Sequence, residues 1–168
     1  SGFTQITLKN HSIFIDFEKL NFVMLKLEHV WPWVACGDQL DNNFEGYEMS
    51  SIGIGIVGGG YMGKAHSVAF SAVAGVFQTS LRPRLVTICA QTEANAELYR
   101  KAYGFEKGTA DWKDLIDDPA VEAIVIASPQ HTHHDIAVAA LNAGKPVLCE
   151  KPLGVSLKQS RSMVAAAE

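Results

Sequence analysis

The sequence predicts a doubly wound α/β fold built on a parallel sheet. Three observations lead there. From Met49 onward, short apolar runs alternate with helical segments. The runs are β-branched and apolar on both faces, as strands covered by helices on either side must be. A Gly58-x-Gly60-x-x-Gly63 loop joins the first run directly to the first helix.

Each element has its own signal. Ser51–Val57 is a buried strand, and the glycine loop follows it. Lys64–Ala74 reads as a helix, with Ala65, Val68, Ala69 and Ala72 on one face. Gly75–Pro83 is a loop, and Arg84–Cys89 a second strand. Thr92 is the N-cap of a helix through Tyr103, which Gly104 closes. Phe105–Ala110 is a short connection with room for an edge strand. Asp111 caps a short helix over Trp112–Ile116, with Trp112 in the core. Val121–Ala127 is the next buried strand. Thr132–Asp135 fits a capping box for a helix to Asn142, with Gly144 at its end. Pro146–Glu150 is another strand, and Ser156–Gln159 a second capping box opening the last helix.

Composition bounds the class. The chain has 168 residues, 48% apolar and 19% charged, with a net charge of −4. These values suit one globular domain with an appendage and exclude collagen, coiled coil and disordered tail. They give no sign of nucleic-acid or membrane partners: there is no basic patch, and no apolar stretch approaches the roughly 20 residues of a membrane span. The charge splits at Met49. Residues 1–48 hold three Lys and seven acids, whereas residues 49–168 hold eleven bases and eleven acids. Residues 1–48 read as an N-terminal extension outside the enzyme fold, in which Ile13, Ile15 and Phe17 alternate like a strand. Residues 49–168 read as the folded domain. Both ends of the chain read as cut, with Met49 as the natural start. Cys36, Cys89 and Cys149 match no zinc or redox spacing, and reduced thiols suit a cytoplasmic protein.

The glycine loop carries chemistry. Gly58 permits the tight turn, Gly60 leaves room for backbone to approach a pyrophosphate, and Gly63 lets the helix pack close to the strand. Tyr61 and Met62 lie in the loop and line the cofactor. The helix N-terminus offers N–H groups to phosphate. The acid that usually follows the second strand, to bind the ribose of NAD, is replaced by Ala90-Gln91-Thr92. Ala90 leaves room for a 2′-phosphate and Gln91 and Thr92 can hydrogen-bond it, so the cofactor is NADP or NAD with a tilt to NADP. Arg82 and Arg84 are nearby in sequence.

Two further sites stand at later strand ends: Ser128-Pro129-Gln130-His131-Thr132-His133, and Gly144-Lys145-Pro146-Val147-Leu148-Cys149-Glu150-Lys151-Pro152. With the glycine loop they make residues 51–168 resemble the N-terminal NAD(P)-binding domain of the Gfo/Idh/MocA oxidoreductases, the glucose–fructose oxidoreductase and inositol dehydrogenase family. The resemblance implies a Rossmann-type domain without its C-terminal substrate domain. It implies an oxidoreductase acting on a sugar, polyol or related hydroxyl compound, homo-oligomeric when full length. It further implies that Ser128, Pro129, Gln130 and His133 line the cofactor, where the family has Thr-Pro-Asn-x-x-His. Glu150 and Pro152 then stand near the nicotinamide, and Lys151 reaches the substrate hydroxyl. The family's second domain supplies an Asp and a His to the proton relay, so the fragment alone is expected to bind dinucleotide without turnover.

Lys151 has a plainer reading as a solvated loop lysine paired with Glu150. A non-catalytic dinucleotide-sensing module and a ligand-free α/β domain also remain open. His131, His133, His134 and Asp135 do not face one another at a helix start, so no metal site is expected. His66 reads as a surface or packing residue.

Overall fold

The computed structural model describes residues 50–77, 79 and 81–168, and the backbone of three strands before them. Those three are β1 (Phe3–Leu8), β2 (His11–Asp16) and β3 (Phe22–Leu25). β1 and β2 form an antiparallel pair that includes Ile13 and Ile15; Phe17 lies outside the described residues. There follow β4 (Ser50–Val57), α1 (Tyr61–Val76), β5 (Leu81–Cys89), α2 (Glu93–Tyr103), β6 (Lys107–Thr109), α3 (Lys113–Asp117), β7 (Ala123–Ile126), α4 (His133–Asn142), β8 (Val147–Glu150) and α5 (Leu157–Ala167).

Five strands run parallel in the order β6-β5-β4-β7-β8, and β3 adds antiparallel to the outer edge of β8. This is the doubly wound arrangement. The order reverses between β4 and β7, where the crevice at the strands' carboxyl ends is expected to bind ligand. Two apolar cores sandwich the sheet. One gathers Val57, Val86, Leu115, Ile126, Ile136, Leu141 and Met163; the other holds Ile54, Ile56, Ile88, Phe105 and Val125. Trp112 is half-buried and packs against the first core.

Local signals set most boundaries. Thr92 Oγ1 accepts the Asn95 N–H at 3.2 Å, and Ser156 Oγ accepts that of Gln159 at 3.2 Å. Gly104 and Gly144 take the left-handed conformation, with φ of 81° and 79°. Asp111 Oδ1 accepts the Lys113 N–H at 3.0 Å in the turn ahead of α3, but the N-cap position itself falls on Trp112 and not on Asp111. Several boundaries shift by a residue or two from the sequence reading, as where Val121–Ala127 narrows to Ala123–Ile126 and Trp112–Ile116 moves to Lys113–Asp117, and three differences have a clear cause. α1 begins at Tyr61, inside the glycine motif, and runs to Val76. β5 begins at Leu81 and takes in Pro83. At Pro83 only β4 flanks β5, because β6 pairs with Thr87–Cys89, so this stretch of β5 is a sheet edge, where proline is tolerated. Thr132 does not cap α4: a 3₁₀ turn over Gln130–Thr132 precedes the helix, Thr132 is itself helical, and its hydroxyl donates to Pro129 O at 2.7 Å.

Burial pushes both sheet thiols, Cys89 and Cys149, up to about 12. Both are free thiols. Near neutral pH neither is expected to react with a thiol reagent in the folded protein, and both are expected to react in denaturant. Site-resolved mass spectrometry after labelling checks this.

Candidate functional site

The carboxyl ends of β4, β5, β7 and β8 bring four loops together, and the glycine loop is the tightest. Gly58 has φ of +101°, and its N–H donates to Cys89 O at 2.9 Å. A Cβ on Gly58 would stand 2.6 Å from Ala127 O. A Cβ on Gly63 would stand 1.9 Å from Gly58 O. Both glycines are therefore demanded by backbone packing, whether or not a ligand binds. Gly60 is different. Its φ of −68° suits any residue, and a Cβ there would meet nothing within 4 Å. No side chain caps the helix start beside it, and its first turn carries no acid. Tyr61 is almost fully exposed and Met62 half-buried.

Gly59, Tyr99 and Tyr103 were missed in the sequence. A Cβ on Gly59 would lie 2.0 Å from Tyr99 Cδ2, and the Tyr103 hydroxyl donates to Gly59 O at 3.0 Å. The two rings stack at 5.5 Å, and burial raises the Tyr103 phenol. The available signal was their i, i+4 spacing on α2 opposite an unbroken run of three glycines.

At the end of β5, the Ala90 N–H donates to Thr109 O and Ala90 is buried. Gln91 is exposed, and the Thr92 hydroxyl is engaged as the cap of α2. Arg82 and Arg84 stand at the opposite end of the strand, and Arg84 pairs with Glu106 at 2.7 Å. Sequence proximity to Ala90 does not bring them to this loop. Acids gather there instead: after burial, the charges of Asp111, Asp114 and Glu93 are what raise the Cys89 thiol.

The β7 and β8 loops are stapled together. Gln130 Nε2 donates to Gly154 O at 2.8 Å. His133 is buried, its Nδ1 3.0 Å from Pro152 O and its Nε2 2.8 Å from Ser128 O. A ring with one N–H satisfies one of these carbonyls, and the doubly protonated ring satisfies both. Both side chains thus reach backbone of the Lys151 loop. Ser128 Oγ and Thr132 Oγ1 are 2.6 Å apart.

Glu150 is 5% exposed. His66 Nε2–H donates to Glu150 Oε1 at 2.9 Å, and the Lys151 N–H donates to Glu150 Oε2 at 3.2 Å. His66 is therefore no surface residue: it is buried 84 positions away from its partner in sequence. The Lys151 side chain is exposed, and its ammonium makes no ion pair with Glu150. The Lys151–Pro152 bond is cis.

Residues 52–168 match the family model of the Gfo/Idh/MocA oxidoreductases, described as an oxidoreductase family with an NAD-binding Rossmann fold. The chain belongs to this family. Levoglucosan dehydrogenase of Pseudarthrobacter phenanthrenivorans is 43% identical over 121 residues, covering 70% of this chain and 30% of that protein. Inositol 2-dehydrogenase 1 of Saccharopolyspora erythraea is 38% identical over 117 residues, covering 68% and 33%. The chain thus spans about a third of the length of the curated relatives it matches. Among solved structures, levoglucosan dehydrogenase in complex with NADH and L-sorbose superposes with a TM-score of 0.69 at 39% identity, covering 71% of this chain and 32% of that one. An NAD-binding oxidoreductase from Klebsiella pneumoniae gives 0.68 at 41% identity, covering 70% and 31%.

The glycines separate fold from ligand in a measurable way. Gly63→Ala is expected to destabilise the chain by about 1–3 kcal/mol, as overpacking against backbone does. Gly60→Ala is expected to stay within about 0.5 kcal/mol of the parent, the range of a surface substitution. Urea denaturation of the two variants checks the contrast.

Proposed function

We propose that residues 49–168 hold a nicotinamide dinucleotide for an oxidoreductase that acts on a sugar or polyol hydroxyl. The observation that carries this reading is Gly60. Gly58, Gly59 and Gly63 are each forced by a protein contact, while the space beside Gly60 is open. A glycine with no structural need, at an uncapped helix start, fits a backbone cradle for pyrophosphate. That the relatives are sugar and polyol dehydrogenases supports the substrate class.

The described residues fit such a cofactor along one edge. Gly58, Gly60 and Gly63 with the N–H groups of Tyr61 and Met62 would hold the pyrophosphate. Ala90, Gln91 and Thr92 would face the adenosine ribose. Ser128, Pro129 and Gln130 would flank the dinucleotide toward its nicotinamide, with Glu150, Lys151 and Pro152 at that end. His133, whose ring nitrogens both face protein carbonyls, would act by holding these loops together. The nicotinamide, when bound, accepts or delivers hydride at its ring. The exposed Lys151 ammonium would donate a hydrogen bond to the substrate oxygen and stabilise negative charge that develops on it. The proton relay would be completed by residues beyond those of this chain, so these 168 residues alone would bind without turnover. The free thiols in the sheet agree with a reducing, cytoplasmic setting.

The dinucleotide we infer is NAD(H). The basis for NADP weakens once Arg82 and Arg84 lie at the far end of β5 and Thr92 is committed to its cap. Glu93, Asp111 and Asp114 raise the cost of a 2′-phosphate dianion nearby.

Calorimetric titration tests both parts. NADH is expected to bind the parent chain about ten-fold or more tighter than NADPH, the cost of one unfavourable charge contact. Gly60→Val is expected to keep the parent's unfolding midpoint and to lose NADH binding by about ten-fold or more. A folded Gly60→Val chain that binds as the parent does would refute the cradle.

A further inference from the structure

The contact between His66 and Glu150 joins the two ends of the proposed dinucleotide site. His66 sits in α1, in the turn after Gly63, and so is rigidly tied to the glycine loop. The tie is reinforced by Ser67, whose hydroxyl donates to Gly63 O at 2.7 Å. Glu150 closes β8 and immediately precedes Lys151. Between them runs a 2.9 Å hydrogen bond with both side chains buried. The second oxygen of Glu150 accepts the backbone N–H of Lys151. One carboxylate thus holds an imidazole on the phosphate helix and the backbone of the lysine loop at once.

Stability alone is a weak reason for such a pair. Burying an ionisable pair carries a desolvation cost, and well-packed apolar residues in its place are often neutral or better. The best-attested use of a buried polar pair is to fix one arrangement among several. Here the arrangement fixed is the placement of the Lys151 loop relative to the glycine loop.

We propose that His66 is a positioning residue: acting through Glu150, it sets the Lys151 loop against the phosphate helix, so that the nicotinamide half of the dinucleotide and the lysine meet in register. The proposal rests on the dinucleotide reading above. It assigns His66 no contact with substrate. It predicts that His66 matters for the nicotinamide half of the ligand and not for the ADP-ribose half, which the glycine loop and the end of β5 would hold.

The experiment titrates the full 168-residue chain with NADH and, separately, with ADP-ribose, which lacks the nicotinamide. His66→Ala is expected to weaken NADH by about five-fold or more while ADP-ribose changes by less than about two-fold, the size of one lost charge-assisted hydrogen bond. His66→Asn, which keeps an N–H donor for Glu150, is expected to recover most of the NADH affinity. Parallel weakening of both ligands, or no weakening of either in a folded variant, overturns the proposal. A second measurement needs no variant: the ring ¹⁵N resonances of His66 in the parent chain are expected to shift with NADH and to stay in place with ADP-ribose. Equal shifts with the two ligands overturn the proposal as well. A parent chain that binds ADP-ribose and NADH equally overturns this inference alone, whereas one that binds neither overturns the dinucleotide reading beneath it.

Discussion

The missing Cβ atoms at Gly58 and Gly63 are the constraint from which the rest of the site follows. At Gly58 the chain turns against the backbone of Ala127, at the end of a neighbouring strand, and at Gly63 the helix lies on the carbonyl of Gly58. Neither approach tolerates a side chain. Because α1 starts that close to the sheet, His66 can reach across to the end of β8. Loss of the imidazole would leave the buried Glu150 carboxylate with only the Lys151 N–H, and a buried carboxylate short of partners is costly. The geometry of the glycine loop and the geometry of the lysine loop are therefore not independent.

Features governed by neighbours in sequence were legible; those governed by neighbours in space were not. Thr92, Gly104, Gly144 and Ser156 act within one helical turn, and each serves the role its residue type suggests. The strand runs were legible because burial on both faces leaves an unbroken apolar signature. Thr132 misled because a 3₁₀ turn precedes α4, and nothing local distinguishes that from a capping box. Pro83 reads as a strand breaker until the sheet order shows β5 unflanked on one side at that position. Among the candidate site residues, Gly58, Gly60 and Gly63 were singled out by motif and Lys151 by resemblance. His66, Tyr99 and Tyr103 were not, since their partners lie far away in sequence.

The loops at this edge share a way of being held. Carbonyl oxygens of Gly59, Ser128, Pro152 and Gly154 all receive side-chain groups from Tyr103, His133 and Gln130. Backbone that must stay irregular to line a crevice cannot satisfy itself through ladder bonds. Side chains from α2 and from the turn into α4 do it instead. The arrangement keeps the loops fixed while leaving the Lys151 ammonium and the space beside Gly60 open.

The place of β4 in the sheet also governs how the domain assembles in time. It is the first strand of the parallel set in the chain but lies at its centre, and Ile54 pairs with Ala123, 69 residues later. During synthesis at about 5–20 residues per second, one flank of β4 stays unpaired for roughly 3–14 seconds after it is made. The last five residues of that strand, Gly53–Val57, are all buried in the finished sheet. Their exposure is a hazard of birth that the finished sheet no longer shows.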